Sequence, residues 1–382
     1  MQLVKNQRGT ILGILSVLAC SMASISIYYA ARAWSQKPLG PVLESTTPLQ
    51  LPVPWTLTPF APLPSTVTLA PTLDFGTDTP MPSGLPPCYG LPPMTILAIG
   101  TDARSDQYKY GRADAIRVVR VNYISQRVSV LEFPRDLWVQ IPEIYDDIGQ
   151  DHDKLNTAYF YGNPGLHFWD DPTQGPGLLA RTLEINFGMK VDHYIAVSMD
   201  IFVNLVDALG GIDITLAQEV DGRTASDKSQ RLYFPAGDQH LTGEQALTLG
   251  RIRNVSVFSR AKHQDLVMCA VRKKLESPLV LVQLPQIISS FKDHIQTDLT
   301  PEQISQLTCL GTTIPRSSIL FASFPRELFV PGEIYDPSLK QKVFIWNADF
   351  NELSRYVEEF SAESWPSPSV SAAPDPQVSS CP

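Results

Sequence analysis

Aspartates and arginines recur together at the ends of short apolar runs in this chain of 382 residues. Gly100-Thr101-Asp102-Ala103-Arg104 closes the run Met94 to Ile99, and Gly111-Arg112-Ala113-Asp114 opens the run Ala115 to Val121. If both runs are strands, Asp102 and Asp114 meet at one end of a sheet, where open sheets bind ligands. Two carboxylates there suit a hard cation such as Mg2+, which prefers oxygen donors and keeps waters that a phosphate can replace. A third run, Val128 to Phe133, ends in Pro134-Arg135-Asp136 and brings another arginine and acid to the same edge. Each piece alone has a plainer reading, Asp102 as a turn carboxylate capping local amides and Arg135 with Asp136 as a surface ion pair. Their convergence favours a site.

Further cations follow. Lys154 lies on a loop in Asp153-Lys154-Leu155-Asn156, Arg251 and Arg253 share one face of Arg251-Ile252-Arg253, and Arg260 and Gln264 stand one helical turn apart. A planar guanidinium grips two phosphate oxygens at once, so clustered arginines suit a pyrophosphate. The alternative is a solvated basic patch. The formal charge of -9 weighs against it, because an acidic chain has little reason to gather arginines without an anion nearby. The same charge, with no basic run, argues against nucleic acid as a partner.

The elements that must position these residues are legible as patterns. Strand-like runs include those above with His193 to Val197, Gly211 to Leu216, Ser318 to Ser323 and Lys342 to Trp346. Helical periodicity covers Gly177 to Asn186, Met199 to Leu209, Gly243 to Leu249, Arg260 to Leu275 and Phe350 to Phe360. The alternation predicts an α/β domain over 94–362, with helices on both faces of a central sheet. No internal repeat is present.

Outside that domain the composition changes. Residues 1–10 carry Lys5 and Arg8, and 11–31 form an uncharged apolar stretch, so the expectation is a cytoplasmic N-terminus followed by a transmembrane helix and an extracytoplasmic domain. A lipoprotein signal ending at Cys20 is the competing reading. Residues 32–93 are rich in Pro, Thr and Ser and read as a spacer, and 363–382 as a disordered tail. The five cysteines form no CxxC pair or zinc-like cluster; Cys269 with Cys309 is a possible disulfide, and a buried free Cys269 is the alternative.

The ordered motifs resemble the LytR-CpsA-Psr family of cell-wall glycopolymer phosphotransferases. The segments that carry the likeness are ILAIGTDAR, GRADA, VLEFPRDLWVQIP, DKLNTAYFYG, the stretch 191–216, FPAGDQHLTGEQALTLGRIRN and FSRAKHQ. The resemblance implies an α/β/α sandwich with a central mixed sheet enclosing a polyprenyl chain. It implies Mg2+ on Asp102 and Asp114, and the lipid pyrophosphate on Arg112, Arg135, Lys154, Arg251, Arg253, Arg260 and Gln264, with Arg135 foremost in catalysis. The reaction it implies is transfer of a phosphoglycosyl polymer, teichoic acid or polysaccharide, from a polyprenyl pyrophosphate carrier to peptidoglycan. The base is open between Asp136 and Asp102. Two positions depart from the family pattern: Val257 where an acid is usual, and His263 where a second arginine is usual. Arg117 occupies a strand position that is commonly apolar. A hydrolase using water as acceptor and a non-catalytic lipid-phosphate or glycan-binding protein are the alternatives.

Overall fold

The structure, a computed structural model, describes residues 24, 28–43, 88, 91–103, 108–252, 257–277, 294–336, 340–366 and 378–381. Three strands in meander order begin the fold, β1 Met94–Thr101, β2 Ala113–Asn122 and β3 Arg127–Glu132. They alternate residues between two buried faces, as strands covered on both sides must. Short strands β4 Trp138–Gln140 and β5 His152–Lys154 form a separate ribbon that leads into helices α1 Leu155–Gly162 and α2 Gln174–Phe187. Strand β6 His193–Ser198 returns parallel to β1, and Ser198 then caps α3 Met199–Ala208 by accepting from the Ile201 amide at 3.3 Å.

Beyond α3 come a two-stranded ribbon of β7 Ile212–Leu216 and β8 Gly237–Leu241, then α4 Gly243–Arg251 and α5 Val257–Leu275. Strand β9 Gln296–Thr297, helix α6 Pro301–Thr313 and strand β10 Ile319–Ser323 follow. A hairpin of β11 Phe329–Asp336 and β12 Gln341–Ala348, helix α7 Phe350–Ser361 and strand β13 Val378–Ser380 complete the order. Both α4 and α6 start with a capping box, Thr242 with Gln245 and Thr300 with Gln303.

The central sheet is mixed and seven-stranded, in the order β9-β6-β1-β2-β3-β10-β13. One face sends Leu97, Ile99, Ile116, Val118 and Leu131 into a core closed by α1, α2 and α7. Each such side chain contributes about 1.5–3 kcal/mol by leaving water. The opposite face carries Ile96, Val121, Val130 and Phe321 against Leu310 of α6 at one end, and small residues under α3, α4 and α5 at the other. That second end is where the site forms.

Several expectations are corrected. Among the described residues no helix is long and apolar enough to cross a membrane, so the transmembrane helix and the single-pass location drawn from it do not stand. A span needs about 20 apolar residues in one helix, whereas the described helical piece at 28–35 contains Arg32 with Tyr28, Tyr29 and Trp34 exposed; Cys20 and most of 11–31 lie outside the described residues. The expected strands Gly211 to Leu216 and Lys342 to Trp346 exist but pair in ribbons of their own, because their partners are local. The tail contributes β13, which extends the sheet at β10. Cys269 is bonded to Cys381 and Cys309 to Cys88, rather than to each other. The spacer also touches the domain: Leu39 N–H donates to the Leu299 carbonyl at 3.3 Å, and Tyr194 Oη donates to the Pro41 carbonyl at 3.0 Å.

Candidate active site

The chain leaves β1 at Asp102 and re-enters the sheet at Arg112, and the two ends clasp. The Asp102 amide donates to the Arg112 carbonyl at 3.1 Å, and the Arg112 amide donates to Asp102 Oδ1 at 2.6 Å. Gly111 makes the closure possible: its φ is +140°, and a Cβ there would lie 2.7 Å from the Ala103 nitrogen. An irregularity in the β1–β2 register between Gly100 and Thr101 re-aims the strand end at the same point.

Asp114, one residue into β2, takes the Arg135 Nη1 on its Oδ1. Arg135 also reaches Asp136 Oδ2 through Nε at 3.3 Å, and Lys154 Nζ stands 3.6 Å from Asp136 Oδ1. Backbone bonds hold this loop, since the Asn156 amide donates to the Arg135 carbonyl at 3.0 Å and the Trp346 amide to the Asp136 carbonyl at 2.9 Å. Arg112 lies over the Phe160 ring, 5.5 Å from its centroid, which steadies the guanidinium without consuming its donors. Asp153, below Lys154, accepts from Tyr161 Oη at 2.5 Å and from the Lys154 amide at 2.6 Å. Burial, with Asp153 next, pushes the Tyr161 phenol well above its ordinary range, so it remains a donor.

These side chains surround a polar cavity of about 370 Å³, to which Arg251 and Asp336 also contribute. Five aspartates, 102, 114, 136, 153 and 336, face four cations, Arg112, Arg135, Lys154 and Arg251, for a formal charge of -1. A polyanion would meet net repulsion there unless a cation joined it. Among the described residues no three His, Cys, Asp or Glu side chains are grouped to hold a metal. That donor set still fits Mg2+, which is commonly held by one or two carboxylates with substrate phosphates and water filling the other positions.

An apolar cavity of about 240 Å³ adjoins the polar one. Its floor is one face of the sheet, with Ala98 and Gly100 of β1, Ala115 of β2, and Ile195 and Val197 of β6. Small side chains in the floor leave the space. Phe202 of α3, Leu247 of α4, and Val267 and Met268 of α5 form the roof. Asp114 and Arg251 line both cavities, and Gln264 lines the apolar one.

The structure thus brings Asp102, Arg112, Asp114, Arg135, Lys154 and Arg251 together, with Gln264 at the border. Arg260 is buried instead, 4% exposed and beside Glu132. Arg253 and the side chain of Val257 lie outside the described residues. His263 is half-buried, its Nδ1 has no partner among the described residues, and burial holds its imidazole below the usual histidine range. Arg117 now has an account, an ion pair with Asp265 at 2.5 Å. Asp336 and Glu132 escaped sequence reasoning; Asp336 arrives from a hairpin distant in sequence from Asp102, Asp114 and Arg135, and nothing in its local motif marks it.

Glu132 sits opposite Arg117 in the β2–β3 register, and burial pushes its carboxyl up to about 6, against the pull of Arg117 and Arg260. A raised carboxyl binds its proton more tightly folded than unfolded, so its ionisation costs stability as pH rises toward and through about 6. Denaturant unfolding of wild type and Glu132→Gln at pH 5 and pH 7.5 is expected to show wild type losing about 1 kcal/mol more than the variant over that interval. Parallel losses would show that Glu132 titrates normally.

A mixed sheet gathers carboxylates and arginines at its strand ends beside an apolar cavity, which defines an α/β protein with a two-part site. The LytR_cpsA_psr family profile matches residues 90–351, and the chain belongs to that family. It is 30% identical over 218 residues to the polyisoprenyl-teichoic acid–peptidoglycan teichoic acid transferase TagU of Bacillus cereus (strain AH820), covering 56% of this chain and 62% of that protein. It is 26% identical over 210 residues to the corresponding transferase TagV of Bacillus subtilis (strain 168), covering 54% and 50%. The matched region therefore spans less than two thirds of these relatives' length. Among solved structures, B. subtilis TagV superposes with a TM-score of 0.52 at 21% identity, covering 70% of this chain and 96% of that one. A structure described as TagT bound to LIIa-WTA gives 0.52 at 21%, covering 71% and 91%. These likenesses show the fold, a mixed α/β architecture around a central mixed sheet.

Proposed function

We propose that this chain is a phosphotransferase that moves a phosphoglycosyl polymer of the teichoic acid type from a polyprenyl pyrophosphate carrier to peptidoglycan, with Mg2+ as cofactor. The observation that carries this reading is the sharing of Asp114 and Arg251 by a polar, arginine-lined cavity and an apolar one. A pyrophosphate in the first and the adjoining isoprenyl units in the second would belong to one molecule. The curated relatives named above are transferases of that class.

In this reading Arg112, Arg135, Lys154 and Arg251 bind the pyrophosphate oxygens, and Gln264 orients the first isoprenyl linkage at the border. Arg253, which lies outside the described residues, is expected to bind the same pyrophosphate, whereas Arg260 is buried beside Glu132. Asp102 and Asp114 would hold Mg2+, which when bound offsets charge on the pyrophosphate. The acceptor hydroxyl oxygen forms a bond to the phosphorus that carries the polymer, the bond from that phosphorus to the bridging oxygen breaks, polyprenyl phosphate leaves, and the hydroxyl proton is released. Asp136 is tied to Arg135 and Lys154, so its role is to position those cations. Catalysis of this kind is mostly positioning and charge compensation.

The test incubates the purified chain with a polyprenyl pyrophosphate-linked glycopolymer and peptidoglycan fragments, with and without Mg2+, and weighs the products by mass spectrometry. Polymer phosphate attached to peptidoglycan only with Mg2+ is the expected result. Free polymer phosphate without the linked product would instead make the chain a hydrolase, and bound lipid with no product would make it a binding protein.

A further inference from the structure

Arg117 lies in the middle of a central strand, where a cation is costly unless it is paired. Its side chain is 6% exposed, and its side-chain hydrogen bonds to Ala261, Gln264 and Asp265 fall on one turn of α5. Nη1 meets Asp265 Oδ1 at 2.5 Å, while Nη2 donates to the Ala261 carbonyl at 3.2 Å and to Gln264 Oε1 at 3.3 Å. The other end of the same amide, Gln264 Nε2, donates to the Gly250 carbonyl at 3.1 Å. Gly250 immediately precedes Arg251, and Arg251 lines both cavities. A connected path therefore runs from the sheet through α5 to the end of α4.

The chemistry of the path is directional. A primary amide offers an acceptor at its oxygen and donors at its nitrogen, so a cation at Oε1 fixes which end of Gln264 faces Gly250. An ammonium would not replace the guanidinium, because only the planar fork serves Asp265, Ala261 and Gln264 from one fixed plane. Charges surround the group on both sides: Arg117 and Arg260 act on Glu132 of β3, and Arg117 and Lys262 act on Asp265 of α5.

We propose that Arg117 is a positioning residue, which by fixing the Gln264 amide and the Asp265 turn of α5 against Gly250 sets Arg251 and Gln264 at the border of the two cavities and so sets affinity for a lipid pyrophosphate. This rests on the function proposed above. It also gives Arg117, a cation where the strand pattern expects an apolar side chain, a task that packing alone does not require.

The experiment measures the Kd of geranylgeranyl pyrophosphate with Mg2+ by calorimetry for wild type, Arg117→Lys and the double variant Arg117→Met/Asp265→Leu. Removing both charges of a buried pair leaves neither partner as an unpaired charge and is often neutral for stability, so the double variant is expected to stay folded, with an unfolding midpoint close to that of wild type. Its affinity is expected to fall about tenfold, with Arg117→Lys between the two. Wild-type affinity in a folded double variant, or in Arg117→Lys should the double variant not fold, overturns the role of Arg117 alone. A wild-type protein that does not bind the probe overturns the lipid pyrophosphate reading itself.

Discussion

Arg135→Ala is expected to lower the transfer rate by about 10³-fold or more, the scale of an arginine that offsets charge on a transferring phosphoryl group. The structure gives two reasons for a loss of that size. Arg135 bridges two of the site's acids, bonding Asp114 through Nη1 and Asp136 through Nε. Without it the polar cavity would set five aspartates against three cations, and a polyanion would have to enter against a more negative field. Its loop is held by backbone bonds to Asn156 and Trp346, so truncation beyond Cβ should leave the fold in place. Arg135→Lys keeps the charge but cannot hold two acids in one plane, and recovery of a small part of the rate is the expected outcome. Single-turnover transfer with prebound lipid separates chemistry from binding. A loss below tenfold in that measurement would remove Arg135 from the centre of the mechanism.

What could be read from the amino acids and what could not divide along the range of the interactions. Asp102, Arg112, Asp114 and Arg135 were legible because each stands beside an apolar run of strand length, and three meander strands place their ends together with little freedom. Helices α3 and α4 were legible for a similar reason, each starting at a polar cap that leads into an apolar period. Helix α6 carries the same kind of signal in Thr300-Pro301-Glu302-Gln303, a cap with proline in the first turn. Asp336, Glu132 and the partner of Arg117 were not legible, because each acquires its role from a segment far away in sequence. The Cys269–Cys381 bond spans 112 residues, and spacing alone cannot choose among pairings at such distances. Membership of the sheet failed in the same way: periodicity marks β7 and β12 as strands but is silent on which neighbour they pair with.

Asp102→Asn and Asp114→Asn are expected to abolish Mg2+-dependent transfer unequally, and the inequality is the informative part. Both carboxylates line the polar cavity, and both offer an Oδ1 already engaged by a protein donor, the Arg112 amide for Asp102 and Arg135 for Asp114. The substitution at Asp102 therefore removes one anionic ligand and leaves a side-chain oxygen for the Arg112 amide. At Asp114 the same substitution also releases Arg135 from its ion pair. If the two acids hold Mg2+ and the ion offsets charge on the pyrophosphate, each change should cost at least about 10²-fold at low Mg2+. Raising Mg2+ is expected to recover much of the rate in Asp102→Asn and less in Asp114→Asn, whose arginine keeps only Asp136 as an ion-pair partner. A chelator should abolish wild-type transfer, with recovery on adding Mg2+. The same assay run on bound lipid distinguishes a lost metal from a lost substrate, since the four cations around the cavity remain in both variants. Rates that ignore Mg2+ in wild type and fall equally in both variants would mean that the carboxylates position Arg112 and Arg135 and hold no metal.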